Sequence, residues 1–311
     1  MSQRKDSTVS DGTLPAKVNL MNTSREPSPD TVEEALKTKG FQMIQDLARE
    51  LAGDFAFPTC FEAALRLRQA LQNPDLPISR ISNIIGGEPL VAAKLMQLAN
   101  SALYKAHHAP VMDLKAAIGR LGIDMVRTTA LAIAMRQFIR SKEILIFNDL
   151  ALALWEHSLK TAAAARILAR NQTLINQDQA LLAGLVHNLG AFFLLGRAAR
   201  YAKLRANPMS VKQLIAQWHE SIGVTLLSAL GIPGEIVDAT VDHSQPWLVP
   251  ETILTLADIV YIGNILAGTH VEWLHQDFDP NGGGFEVVRK IFGGILPEIE
   301  SDAQEMQVIY R

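Results

Sequence analysis

PLVAAKLMQLANSALY (Pro89–Tyr104), DLKAAIGRLGIDMVRTTALAIAMRQFI (Asp113–Ile139) and DLALALWEHSLKTAAAARILARN (Asp149–Asn171) are helix-length blocks in succession, parted only by short polar or Pro-containing stretches. No alternation of apolar and polar residues persists through them, as a half-buried strand would require. The pattern continues in QALLAGLVHNLG (Gln179–Gly190), SVKQLIAQWHESIGVTLLSALG (Ser210–Gly231), PGEIVDATVDHS (Pro233–Ser244) and TILTLADIVYIGNILAG (Thr252–Gly268). Aromatic residues are 6% of the chain while Ala and Leu are plentiful, which favours close helix packing over a β-sandwich. The expectation is all-α: a compact multi-helix bundle of ten or more short helices.

Upstream, CFEAALRLRQALQN (Cys60–Asn73) spaces Phe61, Ala64, Leu65, Ala70 and Leu71 near helical period before the NPDLP break, after which Ser79 is a candidate N-cap. Asp30 with Glu33 three residues on, and Leu36 beyond, predicts a helix start, with an interruption possible at Gly40. Residues 1 to 30 carry too few large apolar groups to offset the entropy of ordering and read as a disordered tail. Residues 31–56 then form a lead-in helix, 57–268 the main domain, and 269–311 a C-terminal loop and helix. In that extension Gly282 to Gly284 read as a flexible loop, since no P-loop Lys-Ser pair follows them. Within the main domain, the halves Phe57–Ile139 and Leu150–Gly268 are joined by SKEILIFND, too short and apolar for a free linker, so they are expected to share an extensive interface.

The whole chain has 311 residues, 48% hydrophobic and 20% charged, enough for one or two packed domains. With 29 basic and 32 acidic residues its net charge is −3, lacking the basic excess of a nucleic-acid binder. Its one cysteine, Cys60, excludes an intramolecular disulfide and a thiolate-rich metal site. The start MSQRKDSTVSDGT has no apolar signal core, which points to the cytoplasm. Gln179 to Gly196 carries no charged side chain, but His187, Asn188 and three glycines make it a poor membrane span. It reads as a buried helix, a bend and a second helix.

Eight histidines occur, and His157, His187, His219 and His243 lie on or beside strongly apolar segments; His107, His108, His270 and His275 do not. Any one such histidine is ordinarily a hydrogen-bonded core or rim residue. Together with Asp258 they supply the ligand types for Fe, Mn or Zn held between helices, where a metal can activate water for phosphate-ester hydrolysis. Spacing alone does not show that the five converge. Other polar positions read as structural: Asn100 and Ser101 fixing a helix end, Tyr104 burying its ring with a wet hydroxyl, Gly119 and Gly122 at a close approach or helix end. Met96, Met125 and Met135 read as core filling. Glu220, adjacent to His219, points about a hundred degrees away on a helix and is given no role.

In order along the chain, PLVAAKLMQLANSALY, LKAAIGRLGIDMVR (Leu114–Arg127), WEHS (Trp155–Ser158), AGLVHNLG (Ala183–Gly190) and HESIGVTLLSALGIPGEIVDATVDH (His219–His243) make the segment from Phe57 to Gly268 resemble the HDOD domain. This is the HD-related output domain of bacterial signalling proteins, a degenerate relative of the HD and HD-GYP metal-dependent phosphohydrolases. The resemblance implies an N-terminal helical half packed on a degenerate HD-like half. It places the first histidine of the HD centre on His157, the His-Asp pair on His187 and Asn188, further histidines on His219 and His243, and the final aspartate on Asp258. Asn188 departs from the pattern, because a carboxamide cannot bridge two cations or neutralise their charge as a carboxylate does. Asp242, where an adjacent histidine would stand, is a second departure.

The resemblance thus implies a non-catalytic signalling module acting through contacts with separate signalling proteins. No receiver, cyclase or kinase segment fits the remaining residues, no cofactor is expected, and only weak binding of Fe, Mn or Zn is allowed for. The alternatives are a divergent metal-dependent phosphohydrolase on His157, His187 and Asp258, with His219 or His243 as accessory ligands, and a nucleotide sensor without turnover.

Overall fold

The computed structural model describes residues 29–53, 56–73, 75–105, 109–172, 174–241, 243, 252–268 and 283–311. Among them every regular element is a helix and no strand occurs. The first half comprises α1 (Pro29–Ala52), α2 (Glu62–Ala70), α3 (Ile78–Gly86), α4 (Pro89–Ala99), α5 (Ala102–Lys105) and α6 (Leu114–Ile139). The second comprises α7 (Asn148–Gln172), α8 (Gln177–Val186), α9 (Leu189–Ala198), α10 (Ala202–Arg205), α11 (Pro208–Ala229), α12 (Gly234–Asp238) and α13 (Leu256–Leu266). After them come α14 (Gly283–Phe292) and α15 (Leu296–Ile309).

Helix starts follow local chemistry. Asp113 accepts from the Ala116 N–H at the head of α6, Asn176 from Asp178 and Gln179 at the head of α8, and Asn207, with Pro208 next, from Ser210 at the head of α11. Several expected boundaries move. The start of α3 is set by Pro77 rather than Ser79, which lies inside the first turn. Asp30 is the second residue of α1. That helix runs unbroken through Gly40, which packs beneath Leu214 of α11, where an added Cβ would lie 2.8 Å from Leu214 Cδ2. Gly283 and Gly284 begin α14 instead of staying in a loop. The expected tail, apart from its last two residues, lies outside the described residues, as do Asp242, Gly282, His107, His108, His270 and His275.

The two halves share one core. Phe57 and Phe61 from the first half, with Phe138 at the end of α6, meet Phe193 of α9 at ring-centroid distances of 6.1, 5.7 and 4.8 Å. Such pairs are worth about 0.5–1.5 kcal/mol each beyond the area they bury. In the second half α7 is the axis, with α8, α13 and α15 packed on it. The run Ala162–Ala165 is fully buried there, and a Cβ at Gly184 would lie 2.8 Å from the Ala162 Cα, so small residues let α8 lie against α7. The uncharged stretch from α8 into α9 is long and apolar enough to cross a membrane by composition, yet 94% of its apolar window is buried inside the fold. It breaks at His187 and Asn188, which separate the two helices.

Gly122 has φ +79° and divides α6, as a helix-end glycine does, whereas Gly119 meets nothing within 4 Å and marks no close approach. Asn100 pins the following segment, its Oδ1 accepting from the Val111 N–H (2.8 Å) and its Nδ2 donating to the Val111 carbonyl (3.0 Å). The Tyr104 hydroxyl is not left to water: it donates to Asp178 Oδ1 at 3.0 Å. Its ring lies 4.6 Å from the Arg166 guanidinium. Met125 and Met135 are fully buried core residues.

Candidate functional site

His157 projects from α7, His187 ends α8, Asn188 begins α9, His219 lies on α11 and His243 follows α12. The fold brings these five together, each at most 3% exposed. Ring centroids are 5.5 Å apart for His157 and His187, 4.7 Å for His187 and His243, and 5.2 Å for His219 and His243.

Backbone carbonyls assign the protons. The Nδ1 atoms of His187, His219 and His243 lie 2.7, 2.8 and 2.8 Å from the carbonyl oxygens of Gly184, Ile215 and Thr240. A carbonyl only accepts, so each of these Nδ1 atoms donates, and in the neutral ring Nε2 is the acceptor. The assignment fixes the neighbouring amide: Asn188 must turn its Nδ2 to His187 Nε2, 2.8 Å away, and donate. Its Oδ1 is then buried with no hydrogen-bond partner among the described residues. Burial first, and then the neighbouring imidazoles of His243 and His157, holds His187 well below the ordinary histidine pKa.

Asp258 does not join the cluster. Its Oδ2 accepts from the N–H groups of Leu254 and Thr255, while the Thr255 hydroxyl accepts from the Asp258 N–H, a capping box that starts α13. Asn264, six residues further along α13, faces the histidines instead. Its Nδ2 donates to the His243 carbonyl (3.0 Å), and its Oδ1 accepts from His157 Nε2 (2.7 Å). His157 therefore carries its proton on Nε2, unlike the other three, and donates where a ligand would offer a lone pair.

Glu220, given no role from the sequence, also comes into play. Its Oε1 lies 3.5 Å from His243 Nδ1, the nitrogen that also donates to the Thr240 carbonyl. His219, Glu220 and His243 offer ligand-type atoms within 4.8 Å of one another. The two Nε2 atoms face each other at 3.3 Å, and one shared proton or one cation satisfies both. Imidazole nitrogens on a tetrahedral zinc lie roughly 3.3 Å apart, given bonds of about 2.0–2.1 Å. The donor set thus fits a single, weakly held ion on His219 and His243, which would polarise a bound oxygen. It does not fit a two-metal centre, because Asn188 is neutral where a bridging carboxylate is needed and Asp258 is engaged in its helix cap.

The family model of the HDOD domain matches residues 57–246. A Treponema pallidum (strain Nichols) protein of uncharacterised function is 24% identical over 241 residues, 71% of this chain, which spans 45% of that relative's length. Among solved structures, a Shewanella amazonensis SB2B protein provisionally named a metal-dependent phosphohydrolase is similar with TM-score 0.68 and 21% identity, over 88% of this chain and 100% of its own. An HDOD domain protein of unknown function from Geobacter sulfurreducens has TM-score 0.54 and 21% identity, covering 85% of this chain and 95% of its own. A Marinobacter aquaeolei VT8 protein provisionally named a signal transduction protein has TM-score 0.50 and 19% identity, covering 87% of this chain and 66% of its own. At these identities the structures speak for the shared helical fold. Since the family model spans more than half of its length, and takes in four buried histidines on that fold, this chain belongs to the HDOD domain family.

Proposed function

We propose that the chain is a non-catalytic bacterial signal-transduction module, cytoplasmic, acting through contacts with a separate signalling protein. The observation that carries this reading is the hydrogen bond from Asn188 Nδ2 to His187 Nε2 at 2.8 Å. It fills the lone pair that a catalytic metal would take, and an aspartate in its place would have no hydrogen to donate. The bond from His157 to Asn264 supports it, since it turns a second candidate ligand into a donor. Family membership and the likeness to the Marinobacter protein are consistent with a signalling role.

Metal-dependent phosphoester hydrolysis, the provisional assignment of the Shewanella relative, is the second reading, favoured by the 3.3 Å spacing of His219 and His243. Metal analysis of freshly purified protein separates the two. Far less than one equivalent of Fe, Mn or Zn is expected; a full tightly held equivalent would move the balance to the enzyme. A melting shift with a nucleotide but without its turnover would instead favour a sensor.

A further inference from the structure

We propose that the cleft between the two halves of the domain binds a small amphipathic anion, an apolar body carrying one acid group. The cleft lies well outside the histidine cluster and has a volume of about 320 Å³, within the range of ligand sites. The first half supplies one wall from α2 and α6, and the second half the other from α8 and the turn between α11 and α12. Leu65, Leu131, Leu182 and Ile232 give it an apolar lining, with the guanidinium groups of Arg68 and Arg127 set among them.

The two arginines differ in a way that selects the ligand. Arg127 is already compensated, donating to Asp124 Oδ1 at 2.9 Å and to the Leu71 carbonyl at 2.5 Å. Arg68 has no ion-pair or hydrogen-bond partner among the described residues. Its guanidinium is nonetheless placed: it lies over Gly231, which has φ +65° at the end of α11, so closely that an added Cβ would fall 2.1 Å from Arg68 Cζ. A planar, half-buried cation without an anion, beside apolar walls, is suited to a carboxylate, sulfonate or phosphate head. Asp124 and Asp178 line the same cleft and would repel a second acid group, which limits the ligand to a single one. Because the walls belong to different halves, the bound anion would hold them together. The inference stands apart from the signalling reading and needs neither metal nor turnover.

The test uses full-length protein and two fluorescent probes of similar apolar body, the anionic 1-anilinonaphthalene-8-sulfonate and the uncharged N-phenyl-1-naphthylamine. The anionic probe is expected to saturate one site and raise the melting temperature. Arg68→Gln should weaken it about tenfold or more, as loss of a charge-assisted contact does, and leave the neutral probe unchanged. Arg200→Gln, in the separate cleft lined by Cys60 and Phe193, should change neither probe. Circular dichroism of each variant verifies the fold. Binding of the anionic probe that is not saturable, survives Arg68→Gln, or falls equally in Arg200→Gln would overturn the proposal.

Discussion

Asn188 donates its side-chain N–H to His187 Nε2, so two residues adjacent in sequence close on each other across the break between α8 and α9. The bond exists because the Gly184 carbonyl holds the His187 proton on the opposite nitrogen. A carboxamide at this position keeps the centre neutral and satisfies His187 Nε2.

Asn188→Asp should therefore behave as a restored but empty site. Without metal the variant loses a buried donor and gains a buried carboxylate, at a cost of about 2–4 kcal/mol. Saturating Mn or Zn should recover part of that stability, and should shift wild type, which offers only the weak His219–His243 pair, much less. Thermal melts with and without chelator measure both, and a variant as stable as wild type in chelator would contradict the role given to Asn188.

Stability should fall with acidification below the ordinary histidine value of 6.5. His187 is held neutral in the fold, so the unfolded chain binds the extra proton as pH drops through that value; stability is full above it and declines below, by at most about 1.4 kcal/mol per pH unit for one histidine. Asp178 and Asp302, whose carboxyls burial holds above 3.8, act the other way and at lower pH. Urea denaturation between pH 5 and 7.5 should give a shallower slope for His187→Gln than for wild type, and equal slopes would refute the assignment.

Two glycines give opposite expectations. A Cβ at Gly190 would lie 2.0 Å from the His219 carbonyl oxygen and 2.6 Å from the Gly223 nitrogen, so Gly190→Ala should cost about 3 kcal/mol or more by forcing α9 off α11. Gly119 is exposed with open space around it, and Gly119→Ala should stabilise α6 by about 0.5–1 kcal/mol. Chemical denaturation of the pair checks both signs.

Most of the fold was legible because apolar positions recur at helical spacing, and convergence of His157, His187, His219 and His243 followed from the resemblance. Asp258 and Asn264 show where the reading stopped. They are six residues apart on α13, about 9 Å along the axis and 120° around it, so only one of them can face the cluster. The signal was present: Thr255-Leu-Ala-Asp258 is a helix-start box, and Asn264 is a lone amide in the apolar run YIGNIL. Glu220 was missed because its contact depends on His243 returning from beyond α12, which spacing on α11 does not encode.

The C-terminal helix should be coupled to the domain through Arg166. This nearly buried side chain donates to the Leu103 carbonyl (2.9 Å), pairs with Asp302 of α15 (3.5 Å) and lies against Tyr104. Asp302→Ala would leave the charge with the Leu103 carbonyl, the Tyr104 ring and the more distant Asp178 carboxylate, and should destabilise by about 2 kcal/mol. A thermal midpoint within error of wild type would show that α15 is held without this pair, by its apolar face and by the contacts of Glu298 with Arg170, Glu300 with Lys160 and Glu305 with the Ala102 and Leu103 N–H groups.

Turnover is the most direct test of a non-catalytic centre. Wild-type protein, His187→Ala and Asn188→Asp are assayed side by side with Mn or Fe on cyclic dinucleotides, mononucleotides and a generic phosphodiester, with circular dichroism recorded on each. Wild type is expected to hydrolyse none of them above the metal-only background. Hydrolysis by wild type that His187→Ala abolishes, with the fold intact, would contradict the assignment and make the centre an active site.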